Sequence, residues 1–521
     1  MFCMKFIKEK IILITFILLP LFCTSQNSKE LLCKIIDTET GEPVMFTSVA
    51  VKDQNVGVIS DDDGSFRLPL TYKRDNTIII ISCIGYKTLE IEVNTLSGND
   101  LNILKLYPQI ESLAVVTIIA EKDPKRARED YIPVRDIVRN AIQNIPLNYP
   151  TNPHSYIGYY REYQVLNNRY FNLNEGIMEE FDAGFQTNKI FYKDNQAALY
   201  SFKKNNEFPQ DTVLSNSYDN KNLKFIEQAT LTGFGGNELS ILNMHNPIRN
   251  YEKKSFSFVN VFKEDFLYNH EFRLTNKTYL NNQPIYEIKF YAIEETTGEK
   301  NSATGVIYIA YDTFAIHKIE YNGYELNNEK PFYSSTVEYM PRDGKMYLNY
   351  VSFYNSFKVK SVNSFKVSTV TFDTAENAFF VTFSNEIDKR TITKKKRFKF
   401  EYNDERLKIS KVDLISSKKL KVTLGEDLSS DEIEDFKSMK GIDFKIKNVA
   451  DVAGRKLNQL SFIDADQFRE YFVQEVFKNK ELPNNLIFVN KIMSLRKSKI
   501  NSNVLDLDKY WVNSPLKSTK N

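Results

Sequence analysis

The stretch from Gly41 to Tyr86 constrains the fold more tightly than any other part of this 521-residue chain. It opens on Gly41-Glu42-Pro43, runs through small apolar residues to Asp61-Asp62-Asp63-Gly64, and continues to Ile78–Ile81 and Gly85-Tyr86. Asp63-Gly64 is a hairpin signal, because Gly accepts positive φ and Asp hydrogen-bonds the turn backbone. Four successive isoleucines are apolar on both faces, as in a central strand covered on each side. Gly85-Tyr86 reads as a bend with the Tyr86 ring packed beside it. Around this stretch, apolar runs recur at Leu31–Ile36, Phe46–Val51, Val56–Ser60, Phe66–Leu70, Thr77–Ile81, Thr88–Val93 and Leu101–Leu106. This spacing predicts a seven-stranded β-sandwich over residues 26–120.

Three consecutive aspartates also suggest a calcium loop. With Gly64 at the sixth position of such a loop, Ile59 would be the first ligand and Leu70 would stand where a Glu is needed, so the turn reading is preferred. The order Gly-Glu-Pro, strand, Asp-Gly turn, Ile strand, Gly-Tyr resembles the carboxypeptidase regulatory-like domain, a transthyretin-like module of Bacteroidota envelope proteins. The resemblance implies a module and no activity. In TonB-dependent receptors a similar module precedes a plug and barrel. The Val-rich run Leu113–Ile119 stands where such modules end, but the 400 or so residues beyond it lack a sustained series of roughly ten-residue amphipathic strands with aromatic girdles. No barrel is expected.

The length points to roughly three domains. Tyr (30) and Phe (38) dominate a modest Gly and Pro content, which favours a mainly β chain. Lys5, Lys8 and Lys10 precede an apolar run from Ile11 to Phe22 that is too short to span a bilayer but fits a signal peptide over residues 1–25, cut before Gln26. Cys23 raises lipidation, but bulky Phe22 sits where a lipobox needs a small residue, so ordinary cleavage is preferred. Three lysines and one glutamate leave with residues 1–25, so the 69 basic and 67 acidic residues fall to 66 each. A balanced chain has no global field to gather nucleic acid. The two remaining cysteines, Cys33 and Cys83, lie in apolar strand patterns and are read as unpaired packing residues rather than a disulfide.

Residues 121–131 read as a charged linker containing Pro124. Residues 132–371 then form a helix plus an antiparallel β domain. Pro133 opens the helix, and Val134, Ile137, Val138, Ala141, Ile142 and Ile145 make one apolar face that packs on a curved central sheet of aromatic-rich strands. The rhythm of Ile285–Phe290, Gly305–Asp312 and Ala315–Glu320 resembles the half-barrel of periplasmic lipoprotein carriers, which implies a concave apolar face; a closed core is the preferred alternative. Phe380–Asp388 and Val449–Gly454 resemble the two ends of bacterial Ig-like domains of the S-layer type, implying a β-sandwich over 372–462, and a C-terminal segment over 463–521 in which Trp511 is an anchor. Phe468-Arg469-Glu470-Tyr471 echoes Tyr160-Arg161-Glu162-Tyr163. The echo is read as coincidence, the alternative being neighbouring strands of one sheet with the Ig-like unit inserted between them.

No motif assembles a catalytic set. His317-Lys318-Ile319-Glu320 has the letters of half a zinc-peptidase site, but no His follows it, and residues three apart on a strand face opposite sides. His154, His245 and His270 stand apart and read as surface or packing residues. Gly233-Phe234-Gly235-Gly236 lacks the Lys-Ser/Thr of a phosphate loop and reads as a turn, and no Gly-x-Ser-x-Gly elbow occurs. Arg390 with Lys394–Arg397 and Lys399 reads as a solvated basic face. The expectation is therefore an exported, non-enzymatic envelope protein, periplasmic or outer-membrane associated, that binds or scaffolds an unknown protein, glycan or lipid. Neither a cofactor nor nucleic acid is expected, nor a transmembrane segment in the mature chain. The alternative is a carrier of an apolar ligand, lipid or lipoprotein, on the central sheet. Intact-mass analysis of the secreted chain is expected to show Gln26 as the first residue; a diacylated Cys23 would overturn that.

Overall fold

The computed structural model describes residues 30–54, 56–112, 132–216, 218, 224–226, 237–251, 264–362, 365–502 and 504–515. The expected signal peptide, the Leu113–Ile119 run, the linker and the Gly233–Gly236 turn lie outside the described residues. The chain is mainly β. It divides into two compact units, one ending at Gln109 and the other starting at Ile110.

In the first unit all seven predicted runs carry strands: β1 (Glu30–Asp37), β2 (Ser48–Val51), β3 (Gly57–Ile59), β4 (Ser65–Pro69), β5 (Ile78–Ser82), β6 (Leu89–Glu92) and β7 (Asn102–Leu106). They form two sheets, ordered β4-β1-β7 and β3-β2-β5-β6. Strict alternation in β1 buries Leu31, Cys33 and Ile35. Burial pushes the Cys33 thiol up to about 12, and no disulfide joins it to Cys83.

Two expectations for this unit need correction. Asp63-Gly64 makes a turn but not a hairpin, because β3 pairs with β2 while β4 crosses to β1 in the other sheet. The turn closes on itself, Asp61 N donating to Ser65 O at 2.7 Å, and Gly64 at φ +75° offers its carbonyl to Ile35 N at 2.9 Å. Of the four isoleucines, only Ile79 and Ile81 are fully buried, while Ile78 and Ile80 are half-buried. The Tyr86 bend is as expected, with Gly85 at φ +90°. The Tyr86 hydroxyl donates to Asp37 Oδ2 at 2.9 Å, and Asp37 Oδ1 accepts the backbone N–H of Glu39 and Thr40. These bonds, that of Thr40 foremost, hold the Asp37 carboxyl below its ordinary pKa.

The second unit is built on a 13-stranded antiparallel sheet. Its strands are β8 (Ile110–Ser112), β9 (His154–Leu166), β10 (Arg169–Asp182), β11 (Gln196–Leu199), β12 (Lys203–Lys204), β13 (Lys224–Phe225), β14 (His270–Leu280), β15 (Gln283–Ala292), β16 (Asn301–Ala310), β17 (Ile316–Glu325), β18 (Tyr333–Arg342), β19 (Lys345–Val362) and a late strand, Ser461–Lys478. From β14 to β19 it is a meander, joined by positive-φ turns such as Asn281-Asn282 and Asp343-Gly344. Helix α1 (Val134–Gln143) starts after Pro133 and buries Ile137, Val138, Ala141 and Ile142 in one core with Phe290, Ile307 and Ile319. A second helix, α2 (Glu238–Met244), also packs on the sheet, against β19 and the late strand. Asn237 caps it, its side chain accepting Ser240 N at 2.7 Å.

Between β19 and the late strand lie two smaller sheets. These are β20 (Val367–Asp373), β21 (Ala378–Phe383), β24 (Ile409–Ser416) and β25 (Lys419–Leu424), and β22 (Phe398–Tyr402), β23 (Glu405–Arg406) and β26 (Ile442–Ile446). Phe379, Val381, Phe398, Phe400, Leu420 and Phe436 share their core. The chain then returns as β27 (Ser461–Lys478), which pairs with β19 on one side and β9 on the other.

The echoed segments are therefore adjacent strands, and the reading as coincidence is overturned. Run antiparallel, the two Arg-Glu dipeptides set Arg161 opposite Glu470 and Glu162 opposite Arg469. Gly158 lets the strands approach: a Cβ there would lie 2.2 Å from Phe472 O. Gly158→Ala is expected to destabilise the second unit by about 1–3 kcal/mol, as forced overpacking does. Gly425→Ala, where the nearest atom is 3.4 Å away, should be near neutral by urea unfolding. Equal effects would refute the tight β9–β27 contact.

Candidate functional site

The part of the sheet made by β9, β10, β27 and β19 carries its chemistry. Strands of 13 and more residues are buried on both faces here, so polar side chains at alternating positions have no water to turn to and must find partners.

On the face packed by α2, Arg469 is fully buried and donates through Nε to Glu238 Oε2 at 2.5 Å and through Nη1 to Asn355 Oδ1 at 2.7 Å. Glu162 accepts the Tyr160 hydroxyl at 3.0 Å and Asn174 Nδ2 at 3.1 Å. Lacking a direct cation, it is pushed up to about 7 by burial first and then by Glu238. Lys224, buried between the rings of Tyr218 (4.6 Å) and Phe357 (4.3 Å), donates to Leu214 O at 2.7 Å. Burial lowers it to about 8.

Further along β10, Arg249 grips Asp182 with two parallel bonds of 2.9 Å and also donates to Gly184 O and Thr187 O. Lys189 lies 2.6 Å from Glu180 and 3.5 Å from Asp182. Burial alone would raise the Asp182 carboxyl, yet Arg249 and Lys189 hold it well below the usual range. Beside this group a cavity of ≈ 20 Å³ is lined by Glu180, Lys189, Asn195, Asn237, Asn243 and Lys491. That is room for about one water molecule.

On the opposite face, Arg161 pairs with Glu470 at 2.5 Å and lies over the rings of Tyr163 and Phe472. The segment around Trp511 covers it. Asn513 O accepts from Arg161 Nη1 at 2.8 Å, Trp511 exchanges two backbone bonds with the Gln474 amide, and Ser514 Oγ donates to Glu175 at 2.6 Å. Trp511 is buried, in agreement with its expected role as an anchor.

The histidines are all buried, which corrects the surface reading and leaves the packing one. His154 bonds Asn152 O and the Tyr156 hydroxyl, His270 bonds Phe266 O and the Tyr321 hydroxyl, and His245 stacks on Phe353 with centroids 3.6 Å apart. Burial lowers all of them, His245 to about 3 and His270 and His317 to about 4. His317 is buried while Glu320 turns away to Lys318 at 2.7 Å. Among the described residues no group of three or more His, Cys, Asp or Glu could hold a metal ion. In the basic stretch, exposed Arg390 forks onto Asp388 at 2.7 Å and Lys399 pairs with Glu401, so that face is solvated and locally compensated.

Sequence reasoning missed the buried charge network. Its one visible trace was the repeated Tyr-Arg-Glu-Tyr, whose pairing across strands brings Arg161, Glu162, Arg469 and Glu470 together.

Residues 33–118 match the CarboxypepD_reg-like domain family. This chain carries that module. The TonB-dependent receptor SusC of Bacteroides thetaiotaomicron is 38% identical over 74 residues, 13% of this chain and 7% of the receptor, so the chain spans only a small part of that relative. Among solved structures, a LolA superfamily protein from Nitrosomonas europaea aligns at 11% identity and TM-score 0.18, and a DUF1329 family protein from Desulfovibrio piger at 8% and 0.19. Each covers 43% of this chain and 86% of its own. Neither superposition is close enough to carry over a cavity or a ligand.

Glu162 gives a signed pH dependence. Between the ordinary 4.5 and about 7 the folded chain holds a proton that the unfolded chain has lost, so stability falls as pH rises through this window and levels above it. Glu162→Gln is expected to flatten that slope and to raise the melting temperature above pH 7; a calorimetric pH series that keeps the wild-type slope would refute the buried, partly protonated carboxyl.

Proposed function

We propose that this is an exported, non-enzymatic protein of the bacterial envelope that works as a binding or scaffolding module. The observation that carries the reading is the destination of its ionisable side chains. On the large sheet and the segments packed against it, Arg161, Arg249, Arg455 and Arg469 are each buried on a carboxylate, and the histidines serve as packing, His154 and His270 donating to a backbone carbonyl and accepting from a tyrosine hydroxyl. A nucleophile or general base needs a partner left for substrate; these groups bind one another. The module at 33–118 and the similarity to a TonB-dependent receptor support an envelope setting. Among the described residues no helix is long and apolar enough to cross a membrane.

The carrier reading needs space beneath α1, where Ile137, Val138, Ala141 and Ile142 are packed into the sheet core. Native mass spectrometry of the chain purified from the envelope without detergent separates the two readings. The binding module is expected at the mass of its polypeptide alone. A stoichiometric acyl-lipid adduct would overturn it in favour of the carrier.

A further inference from the structure

Beside the small cavity, two segments bring exposed large apolar side chains together. Phe191 and Tyr192 stand on the turn before β11, at 66% and 40% exposure, and Ile487, Ile492, Met493 and Ile500 on the chain after β27, at 47%, 71%, 42% and 40%. The two segments are held as one surface. Lys491 Nζ donates to Ile190 O at 2.8 Å and Asn195 O at 2.7 Å, thereby bonding both ends of the turn. Val489 N donates to Ala197 O and Asn501 N to Leu199 O, both at 2.8 Å, and Leu495 is buried in the core of the large sheet. The exposed side chains therefore project from fixed backbone.

The charge of the second segment is one-sided, while the turn carries Lys193 followed by Asp194. Residues 487–500 contain Lys491, Arg496, Lys497 and Lys499 and no acidic residue. Arg496, Lys497 and Lys499 are exposed, as is Lys193 beside Tyr192. Aromatic and aliphatic tips rimmed by long cations fit a phospholipid surface, where the tips enter the acyl boundary and the ammonium and guanidinium groups meet phosphates. A gathered set of such side chains marks an interaction surface, and the cations at its rim favour phosphates.

We infer that the surface formed by residues 190–193 and 487–500 docks the folded chain onto an anionic phospholipid leaflet, through apolar tips flanked by cations. The contact rests on the envelope reading, which subcellular fractionation tests separately. Co-sedimentation of the full mature chain with vesicles containing phosphatidylglycerol is expected to be about tenfold stronger than with phosphatidylcholine alone, and to weaken as salt is raised. Ile492→Ser with Met493→Ser, and separately Lys497→Glu with Lys499→Glu, should each cut binding about tenfold, while urea midpoints stay at the wild-type value. Absence of vesicle binding, equal binding to both vesicle types, or variants that fold and bind as wild type would each overturn the contact. So would a dimer that Ile492→Ser dissociates, since the surface would then face a second copy. A chain that fractionates with the envelope but ignores vesicles removes this contact alone, whereas a cytoplasmic chain removes the envelope reading whatever the vesicles show.

Discussion

The second unit depends on one pairing, that of β9 with β27. Two copies of Arg-Glu laid antiparallel are self-complementary, each Arg falling opposite a Glu: the correct register closes the Arg161–Glu470 ion pair and turns Arg469 to Glu238, whereas a shift by one residue sets like against like. Burial makes this a strong selector. Removing one partner from a buried pair leaves a charge that costs about 3–5 kcal/mol, although the intact pair adds little net stability. The charges thus specify register more than they add stability, and the aromatic neighbours Tyr163, Phe468 and Phe472 supply the apolar burial that holds the strands together.

The other edge of β27, paired with β19, explains how the sheet tolerates some hundred intervening residues. Val362 near the end of β19 pairs with Ser461 at the start of β27, so the inserted unit leaves and returns at neighbouring points. Closing a longer loop costs only about 0.6 kcal/mol per doubling, and a unit with its own Phe-rich core meets that cost from its own packing. Arg455 ties the return to the sheet, bonding Asp451 at 2.6 Å within the Val449–Gly454 segment and reaching Asp211 beyond β12.

Local patterns were legible where they are local in cause. The seven runs of the first unit and the amphipathic face of α1 followed from period and turn residues alone. Partner choice was not legible, because a turn such as Asp61–Ser65 has the same residues whether its strands pair with each other or pass to different sheets. The buried charges were hidden for a related reason. Arg, Glu and Lys in a sequence read as solvated surface, and only the pairing of strands some 300 residues apart reveals that Arg161 and Arg469 have no access to water. The histidines were legible as isolated, since their partners are backbone carbonyls and tyrosine hydroxyls, which carry no motif.

The order of strands has a consequence for biogenesis. β9 comes long before β27 in the chain, and the segment around Trp511 that covers Arg161 is later still. While the chain emerges from its N-terminus, β9 has β10 on one edge and nothing on the other, so the meander through β19 stays an incomplete sheet with charged side chains still hydrated. Such long-range pairing is slow to nucleate. The large sheet therefore cannot close until β27 and the Trp511 segment have been made, a delay that would keep the chain open for passage through a membrane pore if it is exported as proposed.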